Sequence, residues 1–248
     1  MPRLSHVLAA ALCAALLAAP APAQTYLGLT LEGGIPHDDF QDQLDDVAVG
    51  ASAQLLVQAG SLPVALGLDG GILTYGQQAR PLEARIDGRS AFLGEVETTN
   101  NVSHLHAVLR LAPSSGALRP YLDGLAGFNY LYTRTRFEQE VILVDDDFID
   151  VGPDAVVGRE TTSSTVLDDF ALSYGVGAGV LVRVAAGDDD GTPFEAFLEV
   201  GARYLLGEEA RYLTEEGPRE GDLPLVRVRE SETNLIRPQL GLVIQFGS

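Results

Sequence analysis

The stretch that gathers residue types used in catalysis and metal binding is Ser103-His104-Leu105-His106. A serine nucleophile needs a base within hydrogen-bond reach, and two histidines at i and i+2 can share a metal ion. Which chemistry is open depends on the backbone that carries them. On a strand, successive side chains face opposite sides, so His104 and His106 share a face and Ser103 takes the other. That parity separates the hydroxyl from both imidazoles and argues against hydrolysis. For a metal, His104 and His106 are the candidates, but only two ligands are visible, and a carboxylate would have to come from a neighbouring strand. No metal site, catalytic residue or cofactor is assigned on this basis. Two further stretches imitate ligand loops. Gly175-Val-Gly-Ala-Gly179 looks like a dinucleotide fingerprint but opens no helix. Asp188-Asp189-Asp190-Gly191 lacks the spaced ligands and distal glutamate of a calcium loop and reads as a solvated hairpin turn.

The elements that position these residues are strands. Glycine-rich stretches with period-2 alternation recur near 25–35, 47–59, 63–75, 99–112, 120–133, 169–185, 193–206 and 233–247. In the first, Leu27, Leu29 and Leu31 oppose Gly28, Thr30 and Glu32; in the last, Leu240, Leu242, Ile244 and Phe246 oppose Gly241, Val243 and Gln245. Tyr174 to Arg183 would make a poor soluble helix, since each interior glycine costs about 1 kcal/mol against alanine. The connections alternate in length. Short turns at Gly60–Leu62, Ser114–Gly116 and Gly187–Gly191 alternate with longer connections after the first strand and at 76–98, 134–168 and 207–232. In an up-and-down barrel such alternation puts all long connections at one end. Segments such as Arg134–Val141 and Leu225–Glu230 keep alternating, so these hairpins are expected to extend as ribbons with tips near Asp145–Asp154 and Gly217–Asp222.

Composition narrows the setting. The 248 residues hold 16 arginines, no lysine and 35 acids, a net charge of −19. So few cations argue against nucleic acid as a partner. Met1 to Gln24 reads as a secretory signal peptide: Arg3, an apolar run from Val7 to Ala19, then small residues at Ala21 and Ala23. The run is shorter than the roughly 20 residues that span a bilayer, and Pro20 and Pro22 interrupt its end. Cys13, the sole cysteine, lies inside it, so the mature chain at 25–248 has none. Most of the acids fall in the long connections, where they could attract divalent cations or serve as solvated faces.

The two faces of the strands then decide between a soluble and a membrane barrel. One face is almost free of charge. The other carries glycines together with Glu32, Asp69, Asp123, Glu195 and Glu199 and with Arg110, Arg183, Arg203 and Arg237. Small residues and near-cancelling charges suit a narrow interior, which predicts a cross-barrel charge network that plugs the lumen. Aromatic residues mark both ends of the opposite face: Phe128, Tyr130, Tyr132, Phe170 and Tyr204 toward the long connections, Phe194 and Phe246 toward the short turns. The expected fold is all-β, an eight-stranded antiparallel up-and-down transmembrane β-barrel.

The ending Leu240-Gly-Leu-Val-Ile-Gln-Phe246 is similar to the terminal strand of small eight-stranded outer-membrane barrels of the OmpA transmembrane domain and OmpX type, and the chain from 25 to 248 resembles that group. The group's usual ending is the aromatic residue itself; here Gly247 and Ser248 follow. The resemblance implies a bacterial outer membrane, with lipid and lipopolysaccharide around the barrel. It implies delivery by the outer-membrane assembly machinery through the last strand, periplasmic termini and extracellular long loops. Three functions fit such a porin-like chain: a structural or interaction protein acting through its loops, a narrow OmpW-like channel, and a membrane-embedded lipid hydrolase. Some small barrels of this membrane are lipid hydrolases with a Ser and His in an H-x-S order on the lipid-facing side; the S-H-x-H order here does not match it.

Overall fold

The computed structural model describes residues 23–41, 47–59, 62–86, 89–142, 156–189, 192–215 and 226–247. Among the described residues ten strands form in chain order: β1 (Ala23–Pro36), β2 (Ala48–Ala59), β3 (Val64–Ile86), β4 (Arg89–Leu111), β5 (Leu118–Ile142), β6 (Val156–Asp189), β7 (Thr192–Gly207), β8 (Glu209–Glu215), β9 (Val226–Glu232) and β10 (Leu235–Phe246). A 3-10 turn at Asp38–Phe40 follows β1. Eight strands close a barrel in the order β1-β2-β3-β4-β5-β6-β7-β10, every neighbour antiparallel, while β8 and β9 pair as a separate two-stranded sheet. The seam joins the two ends of the chain, from Thr25 opposite Phe246 to Pro36 opposite Leu235. The leader expected at 1–24 lies outside the described residues up to position 22; Ala23 and Gln24 already pair with Ala59 and Gln58 in the barrel.

The alternation seen in the sequence sets the two faces. Leu29 is 69% exposed, and Val49, Leu68, Leu105, Leu122, Val176, Val200 and Leu242 extend the exposed apolar surface across all the remaining barrel strands. The residues between them point inward and are buried or half-buried, polar and apolar alike. A water-soluble barrel buries its apolar face; here the sidedness is reversed, which only a hydrocarbon surround stabilises. Phe128, Tyr130 and Phe170 pack together on the outer surface, with ring centroids 5.9 Å apart for Phe128–Phe170 and 4.6 Å for Tyr130–Phe170.

The segments at 76–98 and 134–168 depart from the loops assigned to them. The β3–β4 pair runs on to Ile86 opposite Arg89, and the β5–β6 pair to Ile142 opposite Val156. These are two-stranded ribbons continuous with the barrel wall. The ribbon foreseen from Arg134 onward is of this kind; the one at 76–98 was missed because Gln77 to Leu82 does not alternate cleanly and the ladder shifts register between Tyr75 and Gln77. The segment 207–232 behaves differently again, with β8 and β9 leaving the barrel as their own hairpin. The expected tips at Asp145–Asp154 and Gly217–Asp222 lie outside the described residues. At the opposite end the connection after β4 is short and turns through Gly116, whose φ of +117° is open to glycine alone at little cost.

Candidate functional site: the charged lumen

The inward side chains stack into layers, and the strand register dictates which charges meet. At the short-turn end stands Arg119 of β5. It donates to the Gly116 carbonyl at 3.0 Å and to Gln245 at 2.5 Å, pairs with Glu195, and lies 4.5 Å over the Phe197 ring. Phe197 belongs to an inward apolar cluster with Tyr26, Leu56, Val108, Leu181 and Val243.

Above it lies a denser ionic centre. Arg110 and Asp123 stand opposite each other on β4 and β5. Arg110 Nε donates to Asp123 Oδ1 at 2.8 Å and Nη2 to Asp123 Oδ2 at 2.9 Å, the planar fork-to-fork match of guanidinium and carboxylate. The same Nη2 reaches across to Glu199 Oε1 of β7 at 2.8 Å, and Gln54 Nε2 donates to Glu199 Oε2 at 2.6 Å. The guanidinium carbon sits 3.8 Å over the Tyr121 ring, whose hydroxyl accepts from Gln239 at 2.8 Å. Desolvating these ions is costly, and such pairing is what makes the burial tolerable.

A second centre forms around Asp69 of β3. Its Oδ1 accepts from Arg203 Nη1 at 2.7 Å and Arg237 Nη2 at 3.3 Å. Arg203 Nη2 lies 3.6 Å from Asp123 Oδ2 and so joins the two centres. Asp69 is also opposite His106 in the β3–β4 ladder, and His104 Nε2 lies 3.3 Å from Asp69 Oδ1 and 3.6 Å from Glu32 Oε1. The neighbouring-strand carboxylate that the histidine pair required is therefore present. Ser103 faces the other way, opposite Ile72 and Tyr130 on the outer surface, so the hydroxyl and the imidazoles do not meet.

At the ribbon end the charges give way to an apolar layer. Leu73, Tyr75, Val102, Leu131, Ala171 and Leu235 face inward around Phe40, which the 3-10 turn inserts among them. Tyr212 of β8 closes over Phe40 edge-on, with centroids 5.3 Å apart. The turn is held in place by the His37 amide donating to the Asn234 carbonyl at 3.1 Å and by Asn234 Nδ2 donating to Asp38 at 3.3 Å.

Of the nine charges assigned to the lumen, Glu32, Asp69, Asp123, Glu199, Arg110, Arg203 and Arg237 are buried in the two upper centres. Glu195 and Arg183 are not part of them. They pair with each other at the short-turn rim, where the Arg183 side chain is 37% exposed. The β6–β7 ladder shifts register just after Arg183, so the strand leaves the regular wall there. The sequence reading missed Arg119. The strand expected from 120 starts at Leu118 instead, and Arg119 shares its inward parity with Asp123, the signal that would place it. Phe40 had no signal, since it sits in an acidic connection with no periodicity.

A closed antiparallel barrel with an apolar exterior and an ion-paired interior defines the class, a transmembrane β-barrel. No protein-family model matches the chain, and no curated protein matches its sequence. Solved structures similar in fold include the neisserial surface protein NspA, at 11% identity and TM-score 0.35 over 90% of this chain and 95% of that one. Ail, the attachment invasion locus protein of Yersinia pestis, matches at 9% identity and TM-score 0.35 over 92% and 99%. The outer membrane protein OprG from Pseudomonas aeruginosa matches at 12% identity and TM-score 0.36 over 92% and 97%. The similarity is one of architecture.

Proposed function

We propose that the chain is an outer-membrane β-barrel of structural or interaction type that works through its long hairpins while its lumen stays plugged. The observation that carries this reading is the filled interior. Arg119, Arg203, Arg237, Phe197 and Phe40 are all essentially without solvent contact inside the barrel. An eight-stranded barrel has room for little more than its own side chains. The apolar layer around Phe40 and the ionic centres beneath it would both have to rearrange before a solute could pass. The termini and short turns would lie on the periplasmic side and the ribbons outside, with lipopolysaccharide and lipid against the apolar wall. The assembly machinery would engage β10 through its Leu240–Phe246 ending, and the acidic hairpins would offer surfaces that attract divalent cations. Planar-bilayer recording from the folded protein tests the plug: rare, small events are expected. Large, stable open-channel currents would overturn it in favour of a narrow channel.

A further inference from the structure

We propose that Asp69, His104 and His106 form an intraluminal site for one imidazole-preferring divalent transition ion of the zinc class. One potential ligand atom from each of the three lies within 4.8 Å of the other two, and all three residues are buried. Zinc bonds of about 2.0–2.1 Å place tetrahedral ligands about 3.3 Å apart, so the side chains need only draw inward around an ion. The two imidazoles are neighbours already, their centroids 5.5 Å apart.

A second observation points to a ligand independently. Both ring nitrogens of His106 and Nδ1 of His104 have no hydrogen-bond partner, and His104 Nε2 meets only the carboxylates of Asp69 and Glu32 at 3.3 and 3.6 Å, although His106 has 0% exposure and His104 4%. Buried polar atoms are nearly always satisfied, and leaving them bare is costly. Neither Glu32 oxygen accepts a hydrogen bond either, although Oε1 lies 3.6 Å from His104 Nε2 and Oε2 3.7 Å from Arg237 Nε, so a fourth donor stands beside His104. The charge inventory favours a cation. Four buried carboxylates (Glu32, Asp69, Asp123, Glu199) face three buried guanidiniums (Arg110, Arg203, Arg237), which leaves one negative charge in excess among the described residues of these two centres. The chemistry of the donors selects the ion. Asp69 Oδ1 is already shared by Arg203 and Arg237, so the imidazoles are the stronger donors, and imidazole suits zinc, nickel and copper rather than calcium or magnesium.

The site is buried, so the ion should enter as the barrel folds. The mature full chain is folded from urea into detergent micelles with ZnCl2, with CaCl2 or with neither. Loose metal is removed with a chelator and the retained metal is counted by mass spectrometry. The expected result is retention of about one zinc per chain and no calcium, with a higher urea midpoint for the zinc-loaded barrel. His104→Ala and His106→Ala should each lose the zinc and the midpoint shift, whereas His37→Ala, at the exposed mouth, should keep both. Wild-type barrel that retains no zinc overturns the proposal, and so does retention that survives both lumen substitutions. If either variant does not fold, Co2+ loading of the wild type decides. Intense visible bands of a tetrahedral nitrogen-ligated ion support the site, and their absence refutes it.

Discussion

Arg110 holds two buried carboxylates and a ring at once: two oxygens of Asp123, one of Glu199 and the face of Tyr121. Removing it takes the nearest cation from two buried carboxylates and leaves Asp123 with the more distant Arg203 and Glu199 with amide donors, so Arg110→Ala should lower the urea-unfolding free energy of the micelle-folded barrel by about 3–5 kcal/mol. Arg183→Ala, at the half-open rim, should cost only about 0–1 kcal/mol in the same titration, because water screens its pair with Glu195. Glycines offer a second contrast. A Cβ at Gly127 would strike the Leu105 carbonyl oxygen of the adjacent strand, whereas one at Gly124 meets nothing. Gly127→Ala should therefore shift the urea midpoint far more than Gly124→Ala. At this scale the sequence was legible through parity: Glu32, Asp69, Asp123 and Glu199 could be turned inward by counting twos from any neighbour. Parity does not say which charge meets which. The pairing of Asp69 with Arg203 and with His104 comes from strand stagger and closure across the barrel, which no local pattern encodes.

The mouth is built from elements that are not barrel strands. The 3-10 turn at Asp38–Phe40 and the β8–β9 hairpin contribute Phe40, Ala210 and Tyr212 to one apolar layer with the inward faces of the wall. Tyr212 also hydrogen-bonds Ser231 across the hairpin at 2.7 Å. Phe40→Ala should cost about 3–5 kcal/mol locally. It should loosen the mouth without opening the wall, so the β8–β9 region becomes more sensitive to protease while the barrel still resists SDS until boiled. Burial pushes the Tyr212 phenol above its ordinary value. A raised folded-state value means that this residue's contribution is complete below about pH 10, where the unfolded phenol is still neutral, and is lost as pH rises beyond that. Hydrogen exchange in β8 and β9 should accelerate above that pH ahead of exchange in the wall. Elements of the wall were readable because lipid on one side and a packed lumen on the other force strict alternation. The hairpin at 209–232 was readable only as an alternating stretch, because its partner is the mouth and not the next strand.

For the whole molecule, the outward leucines and inward ions predict a band that shifts between unheated and boiled samples on SDS gels. Recovery of the protein in a soluble periplasmic fraction without such a shift would contradict the membrane reading. Cysteine substituted at Ser114 should stay unlabelled by an impermeant maleimide on intact cells, while cysteine at Val228, an exposed position on β9, should label. The reverse pattern would mean that the barrel sits upside down. The seam between β1 and β10 carries a temporal consequence. It joins Thr25, near the start of the first barrel strand, to Phe246, the end of the last. The contact that removes the open edge has the greatest sequence separation in the fold, and such contacts form slowly. Until β10 has emerged, the seam edge of β1 has no partner of its own and is a template for another strand. Folding is thus a race between closure and misassociation, and the finish line is β10, Leu235–Phe246.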